Sequence, residues 1–311
     1  MGSLNYGGQA VMEGVMMRGE REWAVSVRAP SGEILQEHQA LPAGYRSRWL
    51  KLPFLRGLIS LWDSLGLGMR ALLWSSDVAL GEEEEVRFAG PLAWGTVAVS
   101  VLFGVGLFFL LPMLLTSLVD DRIETAILSN LVEGAVRLAI FVLYLVLIGL
   151  MPDIRRVFAY HGAEHKTINA YESGASLTPD SVAAYSRVHT RCGTGFMLVV
   201  LILFVLISSF LGRPSLALRL ASRVVLIPIV SGIAYEIIKF SARHYERSRL
   251  VRAIMAPGLA LQQLTTREPS ADMLEVAIAS LKTVLASEGL LEPDREAAPD
   301  VAQTGAALSE A

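Results

Sequence analysis

Six consecutive residues, His161-Gly-Ala-Glu-His-Lys166, set two imidazoles four positions apart with a carboxylate directly before the second. On a helix, side chains at i and i+4 share a face and lie close enough to hold one divalent ion. A helix over 154–172, entered through Pro152 with Asp153 as its cap, places Ile154, Val157, Phe158, His161, His165, Ile168 and Glu172 on one stripe. The apolar members of that stripe pack, while His161, His165 and Glu172 project from the same side as a platform for a metal. Glu164, adjacent in angle to His161, is placed either to bind the ion or to serve as the catalytic general base.

The order His-x-x-Glu-His is also the inverted zinc-hydrolase signature, in which the histidines bind metal and the glutamate activates a water. A catalytic zinc takes three protein ligands and keeps one position open, so another donor must come from elsewhere in the chain. Glu172, His189 and Glu236 are the candidates, with Cys192 behind them. His189 leads into an apolar segment, and Glu236 ends another at the same expected depth, where an ionisable side chain is a functional candidate. Its plainer reading is a pair with Lys239, three residues on. The expected cofactor is a divalent metal, zinc by the softness of the donors. Against it stands a bland alternative, in which interfacial histidines merely meet a carbonyl or a lipid phosphate. Met12, Met16 and Met17 could be soft copper ligands, but packing is the stronger reading, and Asp63 with Arg70 reads as a surface pair.

The elements that position these residues belong to a chain built for lipid. Of 311 residues, 53% are hydrophobic and only 18% charged, with a mean hydropathy of +0.47. Soluble domains usually carry about a quarter charged residues. The net charge of −3 gives no reason to expect nucleic-acid binding. A single cysteine excludes an intramolecular disulfide. The first residues lack the basic-then-apolar pattern of a cleaved leader.

Four segments, 88–119, 126–151, 193–212 and 216–240, are candidates to span a bilayer, the last being the weakest. Pro112 is positioned to kink the first, and Glu133 and Arg137, four apart in the second, can neutralise each other. Arg155, Arg156, Lys166, Arg187 and Arg191 fall between the second and third, and Lys239, Arg243, Arg247, Arg249 and Arg252 at or beyond the end of the fourth. The positive-inside rule therefore puts both termini and the 152–192 segment in the cytoplasm. Arg155-Arg156 reads as a contact to lipid headgroups.

The fold expected is a mainly α, polytopic membrane protein of about four transmembrane helices, with an interfacial helix, a small N-terminal β element and cytoplasmic helices. Residues 1–40 form the β element, because 22–29 alternates in polarity, Pro30-Ser-Gly32 turns the chain, and 33–38 returns as a second strand. The glycine- and methionine-rich run before it has no clean period. An interfacial helix and an acidic loop fill 41–86, the helix over 53–74 carrying a polar stripe at Arg56, Ser60, Asp63 and Arg70. The transmembrane region is 87–240. Cytoplasmic helices fill 241–290, with Met255-Ala-Pro-Gly258 expected to separate two of them and 271–288 amphipathic through Leu274, Ile278, Leu281 and Leu285. A disordered tail covers 291–311.

Four runs carry a resemblance: Tyr6-Gly-Gly-Gln-Ala-Val-Met-Glu-Gly-Val-Met-Met-Arg-Gly19, Tyr160-His-Gly-Ala-Glu-His-Lys166, Arg191-Cys-Gly-Thr194 and Pro257-Gly-Leu-Ala-Leu-Gln-Gln-Leu-Thr-Thr-Arg-Glu-Pro269. Through them the chain, from about residue 5 to about 285, resembles the YqhQ-like bacterial membrane proteins, which carry a domain of unknown function. The resemblance implies a bacterial inner-membrane protein and a predicted metal-dependent enzyme. Two function classes follow. One is a cytoplasm-facing, metal-dependent hydrolase acting on a peptide or lipid-linked bond. The other is a non-catalytic assembly or scaffolding factor with a structural metal or none. Membrane lipid, a membrane or cytoplasmic protein and a second copy of the chain are the expected partners; nucleic acid is not.

Overall fold

Four antiparallel strands open the chain in the order β1-β2-β3-β4 in a computed structural model that describes residues 6–41, 52–81, 91–212 and 216–290. They are β1 (Gly7–Val11), β2 (Gly14–Arg18), β3 (Glu22–Arg28) and β4 (Ile34–Ala40). The two strands read from alternation are β3 and β4. The glycine-methionine run adds the hairpin β1-β2, which shows no alternation because β2 is buried on both faces. Val15 and Met17 enter one cluster and Met16 the other. Val11 pairs with Gly14, so Met12 and Glu13 make the whole turn, with Glu13 at φ +52° and its carbonyl held by the Arg28 N–H at 2.9 Å. A side chain at Gly14 would put its Cβ 2.2 Å from the Ser26 carbonyl oxygen.

Helix α1 (Leu55–Leu80) covers one face of the sheet through Leu67 and Ala71. Its opposite side exposes Trp62 and Leu65. Asp63 does not pair with Arg70 at the surface. It is buried and meets Arg18 of β2 at 2.5 Å.

The apolar helices follow. Helix α2 (Pro91–Val105) runs into a π turn (Gly106–Leu110) and α3 (Leu111–Ser117), and α4 (Ala126–Ile148) returns. Pro112 has no N–H for the carbonyl of Phe108 four residues back. That carbonyl instead accepts from Arg137 Nε at 2.9 Å, and the π turn absorbs the mismatch. Among the described residues, three helical stretches are long and apolar enough to cross a bilayer: Gly95–Ser117, Ala126–Ile148 and Val225–His244. The 193–212 segment forms a shorter helix, Gly193–Ser209, of 17 residues. At 1.5 Å per residue that is about 25 Å, against a hydrocarbon core of about 30 Å. The acidic run 82–85, the link at 213–215 and the tail 291–311 lie outside the described residues.

Helix α5 (Pro152–Glu172) begins at Pro152 itself, with Met151 at the N-cap position and Asp153 inside the first turn rather than capping it. A short α6 (Pro179–Ala183) follows, then α7 (Gly193–Ser209) and α8 (Leu216–His244). The expected break at Met255-Ala-Pro-Gly258 is absent: α9 runs unbroken from Arg249 to Thr265. There α9 packs on α7 with Gly258 over Gly195, where a Cβ on Gly258 would lie 3.6 Å from the Cα of Gly195, an ordinary contact. The real separation is the extended link 266–270 before α10 (Ala271–Ser287).

Helix α10 lays Leu274, Ile278, Leu281 and Leu285 on the second face of the sheet, beside α5. Ser280 Oγ donates to the Ala24 carbonyl, and Tyr6 donates its hydroxyl to Glu288 at 2.8 Å. Glu288 also takes the Glu20 and Arg21 backbone N–H groups, tying the β2–β3 turn to the far end of the chain. The result is three layers, α1 on one side, the sheet between, and α5 with α10 on the other.

Candidate metal centre

Helix α5 puts His161 and His165 one turn apart with ring centroids 4.4 Å from each other. Each ring is oriented by a backbone carbonyl. His161 Nδ1 lies 2.9 Å from the Thr265 oxygen and His165 Nδ1 lies 2.7 Å from the Arg187 oxygen. A carbonyl only accepts, so both Nδ1 atoms carry the proton and both Nε2 atoms are left as acceptors on the side of Cys192. That outer support is the usual one for metal-binding histidines. The Thr265 carbonyl is available because α9 ends there, and the last carbonyls of a helix have no partner within it.

The third donor is Cys192. Its Sγ stands 3.3 Å from His161 Nε2, and the ligand atoms of His161, His165 and Cys192 all lie within 4.8 Å of one another. Ligands of a tetrahedral ion bound at ~2.0–2.3 Å sit roughly 3–4 Å apart, so these donors would close by a few tenths of an ångström on one ion and could hold it. Cys192 caps α7, accepting from Thr194 N–H at 3.4 Å. Burial holds the His165 imidazole below its usual range, against the opposing pull of Cys192, and so keeps it neutral and able to ligate. His165 and Cys192 are buried, whereas His161 is half-buried and gives the site an approach from outside.

A second layer locks this geometry. The Gln262 side chain accepts from His189 N–H at 3.0 Å and donates to the His189 carbonyl at 2.9 Å, standing in for a strand partner and pinning the loop that carries Cys192. Gly162 allows the close approach, because a Cβ there would lie 2.1 Å from the Arg267 carbonyl oxygen. Lys166 donates to the Ala183 carbonyl at 2.7 Å and pairs with Glu268 at 2.5 Å.

The remaining sequence candidates take other places. Glu172 is bonded to Arg191 and lies 3.5 Å from His189 Nε2, forming a flanking pair whose imidazole centroid is 5.8 Å from that of His165. Burial pushes the Glu172 carboxyl up, but hydrogen bonding from His189 and the charge of Arg191 outweigh it and hold it below the usual range. Glu236 is not brought to the imidazoles. Its Oε1 accepts from Arg56 Nε at 2.7 Å and from Phe54 N–H at 3.1 Å, and its Oε2 pairs with Arg56, which fastens α1 to α8. Glu164 lies under β1, with its Cγ 2.9 Å from where a Cβ on Gly8 would be. Burial pushes its carboxyl from 4.5 up to about 7, and one of its oxygens has no hydrogen-bond partner.

Sequence reasoning ranked Cys192 last and missed Gln262 and Thr265. The signals were present: the one thiol in the chain, at the mouth of an apolar helix, and a Gln-Gln-Leu-Thr-Thr run too polar for its setting.

Residues 52–287 match the family described as "Protein of unknown function (DUF1385)". The chain is also similar to the "Uncharacterized protein YqhQ" of Bacillus subtilis (strain 168), at 34% identity over 312 residues, covering 95% of this chain and 97% of that protein. No solved structure matches it.

Proposed function

The chain belongs to the DUF1385 family, a family of unknown function, and from that premise we propose that it is a cytoplasm-facing metal protein of the bacterial inner membrane, built for hydrolysis. The observation that carries this reading is the orientation of the two imidazoles, each Nδ1 spent on a backbone carbonyl and the Nε2 side turned to one thiol. Imidazoles that served packing alone would have no reason to turn their acceptor nitrogens on one common thiol.

His161, His165 and Cys192 would hold the ion, with zinc the best match to two imidazoles and a thiolate. A bound divalent ion supplies Lewis-acid chemistry, polarising a carbonyl or phosphoryl oxygen and making water more acidic. Three protein donors leave room for substrate, unlike the closed four-donor sets of structural zinc. Glu164, whose carboxyl exchanges its proton near neutrality, is the base of this scheme. Glu172 and His189 flank the entrance and orient the loop that carries Cys192.

The membrane topology is supported by parity. The sheet, α5 and α10 pack as one body and must lie on one side of the bilayer. An even number of crossings then separates 41 from 152, and again 172 from 271. Two long apolar stretches, Gly95–Ser117 and Ala126–Ile148, fill the first interval, so α7 crosses together with α8 in the second despite its length. Basic residues in 152–192 place that body, with both termini, in the cytoplasm.

Metal analysis of the purified full chain tests the site. One equivalent of zinc is expected in the wild type and loss of it in His161→Ala and Cys192→Ser. Equal, near-zero metal in all three, after growth and dialysis with zinc, overturns the reading.

A further inference from the structure

Beside the candidate metal centre lies an open cavity of about 640 Å³ whose lining includes Pro152, Arg155, Arg156, Arg187, Arg267 and Glu268. Four arginines and one glutamate thus line it, and that glutamate is already engaged by Lys166. Arg156 is neutralised by Glu13 of the β1–β2 turn. Arg155 and Arg187 form no ion pair among the described residues, and Arg267 rests one nitrogen on the carbonyls of Gln263 and Thr266. Clustered positive charge of this kind raises the local concentration of anions. The guanidinium fork matches phosphate oxygens two at a time, and the volume falls in the range of small-ligand sites.

The place of the cavity defines the ligand further. Pro152 lies just past the end of α4, and Leu150 and Met151, immediately before it, are 68% and 53% exposed. An apolar ledge therefore adjoins a basic cavity at the end of a candidate span, the order of chemistries met in passing from acyl chain to headgroup. Arg187 supplies the carbonyl that orients His165, and Arg267 lies two residues beyond the carbonyl that orients His161. We propose that this cavity binds the phosphate group of an anionic amphiphile, with its apolar tail running along Leu150 and Met151. This rests on the membrane reading above and deepens it, by giving the substrate of the neighbouring metal site a phosphate-bearing, lipid-linked class.

The test is calorimetric titration of the full-length protein in zwitterionic detergent, with EDTA present so that no metal contributes. The probes are dihexanoyl phosphatidic acid, dihexanoyl phosphatidylcholine and inorganic phosphate. Phosphatidic acid is expected to bind at least tenfold more tightly than phosphatidylcholine. Arg155→Gln/Arg187→Gln is expected to lose tenfold or more of that affinity, and Arg252→Gln, a basic residue of α9 outside the cavity lining, none. Inorganic phosphate separates the sources. Displacement of the lipid at equal concentration makes a free phosphate the occupant, and a weaker effect lost in the same variant makes it a headgroup. Equal affinity for the two lipids overturns the proposal, and so does wild-type affinity in the double variant; the lipid comparison needs no variant to fold. A His161→Ala protein that lacks zinc but keeps its preference for phosphatidic acid leaves the cavity standing. A zinc-bound wild type that shows no preference leaves the metal site standing without it.

Discussion

Two buried polar clusters sit on consecutive helices, and they are finished to different degrees. On α4, Glu133 and Arg137 are each about 4% exposed and pair at 2.5 Å. Arg137 also donates to the carbonyl freed by Pro112, and its guanidinium lies 5.5 and 5.4 Å from the ring centres of Phe109 and Phe204. Each charge is answered by the protein, as a low-dielectric interior requires. By contrast, the two imidazoles of α5 and the thiol that caps α7 have their outer atoms fixed and their inner atoms turned on one another, and the carboxyl of Glu164 has an oxygen with no partner among the described residues. The same chain completes one polar cluster and leaves the other open. Completion serves the fold; the second cluster, under the function proposed above, would serve a ligand.

Breaking the finished cluster gives the largest expected effect. Arg137→Leu leaves Glu133 buried and unanswered and should cost about 3–5 kcal/mol, read as a fall in thermal or denaturant stability in detergent. Replacing both partners with Glu133→Gln/Arg137→Met should recover most of that loss. A single variant as stable as wild type would mean the pair is solvated and the contrast false.

Glu164 sharpens the open side through pH. Its carboxyl, raised from 4.5 to about 7, keeps its proton in the folded protein while the unfolded chain releases it. The unfolded state then binds fewer protons between those values, so stability falls as pH climbs through that window and the penalty is complete above about pH 7. At about 1.4 kcal/mol for each tenfold change in proton affinity, the metal-free protein loses about 3 kcal/mol. Glu164→Gln should flatten the curve between pH 5 and 8; parallel curves for the two proteins would place the carboxyl in water.

Zinc is expected to have a slightly smaller effect. At a hundred times its dissociation constant it should stabilise the wild type by about 2.7 kcal/mol and leave Cys192→Ser unmoved. Glu172→Gln comes last. It breaks a part-exposed pair with Arg191 and should cost less than about 1 kcal/mol, without loss of zinc. If zinc is lost, Glu172 belongs among the ligands.

Much of this architecture is legible in the chain because its signals are local. The α5 stripe, the β3 and β4 alternation, the apolar stretches and the face of α10 each follow from spacing within about twenty residues. What escapes is what depends on distant partners. The hairpin β1-β2 looks patternless until α1 and α10 bury its two faces. Pro257 and Gly258 read as a break, yet α9 runs through them and packs on α7 at Gly195. Asp63 finds Arg18 rather than Arg70, and Glu236 finds Arg56 rather than Lys239, because each partner comes from another element. Cys192 reaches His161 across 31 positions, and its loop is held by Gln262 from 73 positions away. Periodicity carries no record of such meetings.

The joining of Tyr6 to Glu288, and of Ala24 to Ser280, sets the order in which this protein is completed. The first strands leave the ribosome early and wait with one face uncovered until α10 emerges, after the last apolar helix. In the proposed topology, a nascent chain that threads the bilayer one time too few would deliver α10 to the wrong compartment, and the sheet and α5 would lack their cover. Closure of that core would then report on insertion.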